Sequence, residues 1–168
     1  CALPICGSAT CELIFENCEV PKENLLGPLG KGFTIAMKTL DGGRLGMAAQ
    51  GVGIAQGCLE EAVKYAKERK QFGRPIANFQ AIAFMLADMA TETEAARQLV
   101  YHAAELMDAH DDGASMACSI AKYYAAEAAN HVAYKAVQIH GGYGYINEYK
   151  VERMYRDARI VPIYEGTS

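Results

Sequence analysis

The sequence predicts a mainly α fold: an up-and-down helical bundle preceded by a short strand remnant. Three observations predict it. Three long stretches carry apolar side chains at spacings of three and four. The connections between them are short and rich in Gly, Pro, Asp and Ser. The 168-residue chain is 51% hydrophobic, much of that alanine, and 21% charged, which leans towards helix and provides one sizeable core.

Residues 1–27 read as strand and loop. "CELIFENCEV" alternates in part, with Cys11, Leu13 and Phe15 on one side and Val20 before Pro21. "PKENLLGPLGKG" is the connection, with a unit boundary near Gly27 and the bundle occupying 28–168. The first helix then carries Ile35, Met37, Leu40, Leu45, Ala48, Ala49, Val52, Ala55, Leu59, Ala62 and Val63. Gly42 and Gly43 weaken it locally. Gly46, Gly51, Gly53 and Gly57 each cost about 1 kcal/mol of helix propensity, so they mark either tight helix packing or close approach of a ligand. Gly73 and Pro75 are expected to end this helix, and Asn78 to cap the next.

The second helix places Phe79, Ile82, Leu86, Met89, Ala96, Leu99, Val100, Ala103 and Leu106 on its core face. "DDGAS" breaks it, with Ser115 as the cap of a third helix whose stripe is Ile120, Tyr124, Ala128, Val132, Ala136 and Val137. "GGYGYINEY" is a glycine loop, and "KVERMYRDARIVPIYEGTS" a short helix that becomes extended before Pro162. A bundle built on three long helices implies a final helix that is missing or supplied by a partner.

The formal net charge is -4, with no Lys/Arg cluster, which argues against nucleic acid and against a membrane surface as partners. No apolar run has the length of a membrane span. The cysteines, Cys1, Cys6, Cys11, Cys18, Cys58 and Cys118, form no CxxC pair and lack histidines at zinc-ligand spacing. They read as reduced thiols of a cytosolic protein. The chain opens on Cys1 rather than Met, as a fragment or processed product does.

Metal is not expected, because the E-x-x-H pairs of di-iron bundles are absent and Glu127 with His131 stands alone. No serine occupies a nucleophile elbow, and Cys118 sits mid-helix among alanines as a core residue. "QIHGGYGY" exposes backbone N–H groups at Gly141 and Gly142. It suits a phosphate or flat ring, or serves as a helix cap followed by a turn, the commoner use. Arg69, Lys70 and Arg74 around Phe72 either offset a helix dipole or fork onto a pyrophosphate.

"TLDGGRLG", "ERKQFGRPIANFQ", "QIHGGYGY", "VERMYRDARI" and "IYEGTS" occur in this order along the chain. Together they resemble the C-terminal part of the acyl-CoA dehydrogenase family, in its short-chain, butyryl-CoA flavour. "FENCEVPKENLLG" resembles the end of that family's middle β-domain. The resemblance implies that Glu165 is the catalytic base, with Gly166, Asp41 and Arg44 bordering the acyl-CoA. It implies FAD contacts for Arg69, Phe72, Gln80, Gln138, Ile139, His140, Gly141, Gly142, Thr167 and Ser168, with the flavin shared across a subunit interface of a homotetramer. It also implies electron-transferring flavoprotein as the electron acceptor, and a bacterial cytoplasmic or mitochondrial-matrix setting, the cytoplasm preferred.

The chemistry accords with one carboxylate. Oxidising an acyl thioester removes a proton from Cα and a hydride from Cβ. A desolvated carboxylate is a stronger base, and the implied flavin takes the hydride at N5. The family's N-terminal helical domain, most of its sheet domain and its final helix have no counterpart in these residues. The alternative expectation is therefore a truncated, catalytically inactive helical oligomerisation or interaction domain. Its unpaired apolar faces would be buried by self-association.

Overall fold

The computed structural model describes residues 11–168. Cys1, Cys6 and the start of the expected strand unit lie outside the described residues. Four helices carry the fold: α1 (Gly32–Glu68), α2 (Gln80–Asp108), α3 (Ala114–His140) and α4 (Lys150–Ala158). A two-stranded hairpin, β1 (Lys70–Gln71) and β2 (Arg74–Pro75), lies between α1 and α2. The mainly α bundle expected from the periodicity is the fold observed.

Small residues set the packing of α1 on α3. Ala48, Ala55, Ala62 and Ala66 of α1 are fully buried, as are Ala121, Ala125, Ala129, Ala133 and Ala136 of α3. Side chains this short let two helix backbones approach closely. At Gly51 the two backbones meet directly: a Cβ there would lie 2.9 Å from the Ala125 carbonyl oxygen. Of the two origins open for the helical glycines, tight packing accounts for Gly51. α2 closes the bundle with Met89, Ala96, Val100 and Ala103. Two cores result, one around Ala48, Val52, Ala96 and Cys118, the other around Cys58, Ala62, Met89, Val132 and Val151. α4 joins the second core through Val151 and Ala158, and Lys150 Nζ donates to Glu61 of α1 at 2.9 Å.

Several local expectations are corrected. No strand forms over residues 11–20, which are exposed. A strand needs a paired neighbour to satisfy its backbone, and none of the described residues supplies one there. α1 is continuous for 37 residues through Gly42 and Gly43, the expected points of local weakening. That helix ends at Glu68, before Gly73 and Pro75, because the chain turns back at once into the hairpin. Phe72 (φ 50°) and Gly73 (φ 80°) both lie in the left-handed region, as a tight two-residue hairpin turn requires.

Asn78 does not cap α2. It ends a 3-10 turn, and Phe79 holds the N-cap position without a side-chain bond. Ser115 sits inside the first turn of α3 and donates to Asp41 Oδ1 at 3.1 Å, while Gly113 takes the cap position. Ile120 is 49% exposed, because the alanine-lined face of α3, not its larger residues, meets α1. The segment before Pro162 is a series of turns rather than extended chain.

Gly51→Ala is expected to lower stability by up to about 2 kcal/mol in urea unfolding. Overpacking of about 1–3 kcal/mol outweighs the propensity gain of about 1 kcal/mol. Gly53→Ala, where an added Cβ meets nothing within 4 Å, should instead gain about 0.5–1 kcal/mol.

Candidate functional site

Two clefts open where the ends of α1 and α3 lie side by side. The first, of about 260 Å³, is lined by Arg44, Ser119, Lys122, Tyr123 and residues 165–168. Its carboxylate, Glu165, belongs to the turn that follows α4. Three tethers hold that turn. The Ser168 N–H donates to the Pro162 carbonyl at 2.9 Å. Tyr164 Oη donates to Gln50 of α1 at 2.8 Å, and Lys122 Nζ of α3 donates to the Gly166 carbonyl. Glu165 (φ 56°) and Gly166 (φ 94°) are both left-handed. For a glutamate this conformation is strained by roughly 1–2 kcal/mol, and such strain concentrates at functional sites.

The turn carries the half-buried Glu165 side chain back onto α1 at Gly43. A Cβ on Gly43 would stand 1.8 Å from Glu165 Oε1, so the carboxylate occupies space that a glycine leaves open. One residue on, Arg44 Nη1 donates to Asp41 Oδ1 at 3.0 Å and to Ser119 Oγ at 3.3 Å. Asp41, Arg44, Glu165 and Gly166 are therefore neighbours, although more than a hundred positions separate the first pair from the second in sequence. Lys122 is 3% exposed. Burial pushes its pKa down, while the carboxylates of Glu127 and Glu165 push it back up.

The second cleft, of about 480 Å³, is lined by Tyr65, Arg69, Gln71, Ile139, His140, Gly141, Gly142 and Tyr143, with Ile76 and Ile146. Gly141, at φ 60° and ψ −136°, adopts a backbone conformation open only to glycine. Nothing lies within 4 Å of a Cβ built on Gly141 or Gly142, so their backbone is open to a ligand. Arg69 stands over the Tyr143 ring at 5.1 Å. His140 stacks on Tyr65 with ring centroids 4.2 Å apart and meets Tyr149 edge-on. Its Nδ1 lies 2.8 Å from the Ala136 carbonyl, which assigns the proton to Nδ1.

The expected site residues thus divide. Asp41, Arg44, Glu165, Gly166, Thr167 and Ser168 gather at the first cleft, and Arg69, Ile139, His140, Gly141 and Gly142 at the second. Gln138 lies beside the second cleft, where its carbonyl accepts the Gly141 N–H. Phe72, 92% exposed at the hairpin tip, and the exposed Gln80 line neither. Lys122 and Ser119 carry no motif that sequence reasoning could single out, while Gly43 lies within "TLDGGRLG" without its role at Glu165 being apparent there. Tyr65 does sit one turn before Arg69, a spacing that places both on one helix face. Among the described residues, no group of three or more His, Cys, Asp or Glu is placed to hold a metal ion. His131 instead pairs with Glu92 at 2.9 Å. No described helix is long and apolar enough to cross a membrane.

His140 predicts a pH dependence. Burial holds its folded pKa below the ordinary 6.5, against the opposing Ala136 carbonyl and Glu61. The unfolded chain therefore takes up the proton first on acidification. The corresponding stability is present above about pH 6.5 and is lost as pH falls through the lower folded value. Denaturant stability should decline between about pH 7 and pH 5, and decline less in His140→Gln. An identical slope in the variant would exclude His140 as the source.

A sequence profile described as "Acyl-CoA dehydrogenase, C-terminal domain" matches residues 30–168. The caffeyl-CoA reductase-Etf complex subunit CarC of Acetobacterium woodii is 65% identical over 162 residues, covering 96% of this chain and 42% of that protein. The butyryl-CoA dehydrogenase structure from Megasphaera elsdenii superposes with a TM-score of 0.89 at 53% identity, covering 92% of this chain and 40% of that one. An acyl-CoA dehydrogenase of Bacillus anthracis, solved in complex with FAD, superposes at 0.82 with 41% identity, covering 92% of this chain and 30% of that one. The chain thus spans well under half the length of these relatives, and it belongs to the acyl-CoA dehydrogenase family, matching that family's C-terminal domain.

Proposed function

We propose that this chain is the helical part of a flavin-dependent acyl-CoA dehydrogenase in which Glu165 exchanges the α-proton of a short-chain acyl-CoA. The observation that carries the reading is the Glu165 turn: a strained, tethered carboxylate lying in the space left open at Gly43, at the mouth of a cleft. Strain of this kind persists only where the surroundings impose it.

FAD, when bound, supplies the acceptor for the hydride from Cβ. The residues of this chain do the rest of the work assigned here. Glu165 takes the α-proton. Arg44, fixed by Asp41 and Ser119, presents a guanidinium to the acyl-CoA, and Gly166 keeps the approach free of side-chain bulk. At the second cleft the open backbone of Gly141 and Gly142 suits a pyrophosphate, and Arg69 offers a fork for it. The aromatic wall of Tyr65, His140 and Tyr143 suits a flat ring. Phe72 at the hairpin tip, Gln80 and Gln138 are assigned to the rim of the same contact. Thr167 and Ser168 are assigned to the flavin on the Glu165 side.

The clefts lie roughly 30–40 Å apart along α1, from Arg44 to Tyr65 and Arg69 at about 1.5 Å per residue. A flavin at one is therefore not the flavin at the other. This supports sharing of cofactors between subunits of a homo-oligomer, the resemblance's tetramer. Electron-transferring flavoprotein is the proposed electron partner. The Etf complex named for the 65% identical relative supports it.

That relative is named a reductase, which favours a second reading: the same site run towards reduction. Glu165 would then return a proton to the α-carbon of a 2-enoyl-CoA, as microscopic reversibility demands. Supplying the full-length enzyme with butyryl-CoA plus an electron acceptor, or crotonyl-CoA plus a donor, distinguishes the two directions.

In the full-length enzyme, Glu165→Gln should lower turnover by about 10²–10⁴-fold with flavin content unchanged. Retained turnover would remove Glu165 from the proton-transfer role. Arg69→Ala should weaken flavin retention by about 10- to 100-fold, read by equilibrium dialysis of the yellow chromophore. Unchanged retention would exclude the Arg69 contact.

A further inference from the structure

Among the described residues three polar side chains are buried: Thr93, Lys122 and His140. Two of them are satisfied by their own helices. Thr93 Oγ1 donates to the Met89 carbonyl at 2.7 Å, and His140 Nδ1 to the Ala136 carbonyl at 2.8 Å. Lys122 is different. It is a cation at the edge of an alanine-rich seam, and its partner is the Gly166 carbonyl, on a separate segment. A buried ammonium costs stability unless its partner is well made, and an apolar residue would fill the same space without that cost. The bond therefore stabilises something that packing alone does not hold.

What it holds is the peptide that follows Glu165. The Glu165–Gly166 pair lies outside any helix or sheet ladder, and both residues are left-handed. Two of the tethers act at the flanks: Tyr164 on Gln50, and Ser168 on Pro162. Lys122 grips the turn at Gly166, the left-handed residue that follows the carboxylate. Releasing the Gly166 carbonyl frees the turn to leave its strained conformation, and the carboxylate then swings out of the gap at Gly43.

We propose that Lys122 is a positioning residue for Glu165, acting through the Gly166 carbonyl to hold the turn in its left-handed conformation. The inference rests on the proton-transfer reading above for its catalytic consequence, but not for its structural one.

The test uses the full-length flavin-bound enzyme and two readouts. The first is amide hydrogen exchange at Ser168, whose N–H is bonded to Pro162. The second is exchange of the acyl-CoA α-proton with solvent deuterium, followed with steady-state kcat and KM. Lys122→Met should speed Ser168 exchange by about tenfold or more. It should also lower the α-proton exchange rate and kcat by about 10²-fold with little change in KM, since a displacement of about 1 Å costs that much. Lys122→Arg, which keeps a cationic donor, should recover both readouts at least in part. If Lys122→Met does not fold, Lys122→Gln is measured in its place, with the same direction of change expected in both.

Unchanged Ser168 exchange overturns the proposal. So does faster exchange with kcat untouched, because the turn would then be loose without consequence. A wild-type enzyme that exchanges no α-proton refutes the dehydrogenase reading instead, and the Ser168 measurement alone then decides whether Lys122 holds the turn.

Discussion

The close contact between α1 and α3 is the constraint on which the rest depends. Gly51 against the Ala125 carbonyl, continued by buried alanines along both helices, brings the two backbones nearer than larger side chains permit. With the two helices locked side by side, one end of the pair brings Gly43, Arg44, Ser119 and Lys122 around a cleft. The other end brings Tyr65, Arg69, His140 and Gly141 around a second. Neither cleft belongs to a single element. Each exists because the same seam fixes the axial register of two long helices.

The polar groups are placed against that background with economy. Most of the ion pairs lie on the surface, where each contributes little. The groups that matter for the sites are those whose burial or strain demands a partner: Lys122 against Gly166, His140 against Ala136, Glu165 in its left-handed turn. These positions run against local preference, a cation in a core and a glutamate where glycine is favoured. Local preference fails most often at functional positions, because there the fold is serving chemistry rather than its own stability.

Most of the architecture was legible in the sequence because helical periodicity is a local signal. The three long helices, the short helix after Tyr149 and the core role of Cys118 follow from spacing alone. The hairpin was not legible, because its turn is Phe72–Gly73 rather than the Asn-Gly or Asp-Gly that usually announces one. The face of α3 was misjudged at Ile120, where size suggested burial and the alanine seam decided otherwise. At the first cleft, motifs pointed to Asp41, Arg44, Glu165 and Gly166. Lys122 and Ser119 matter only through contacts across the fold, which no pattern within one helix encodes, and the motif that holds Gly43 does not reveal which side chain fills the gap there.

The uninterrupted length of α1 has a consequence for how such a chain can change. The helix links both clefts as one rod, and each residue along it turns by about 100° and rises by about 1.5 Å. A single insertion or deletion between Arg44 and Arg69 would rotate one cleft away from the other by that angle. It would also carry the alanine seam off α3. Substitution can therefore explore this stretch freely at exposed positions, but its length is frozen. The spacing between the Glu165 cleft and the Gly141 cleft is set by a count of residues, and so it can be inherited only whole.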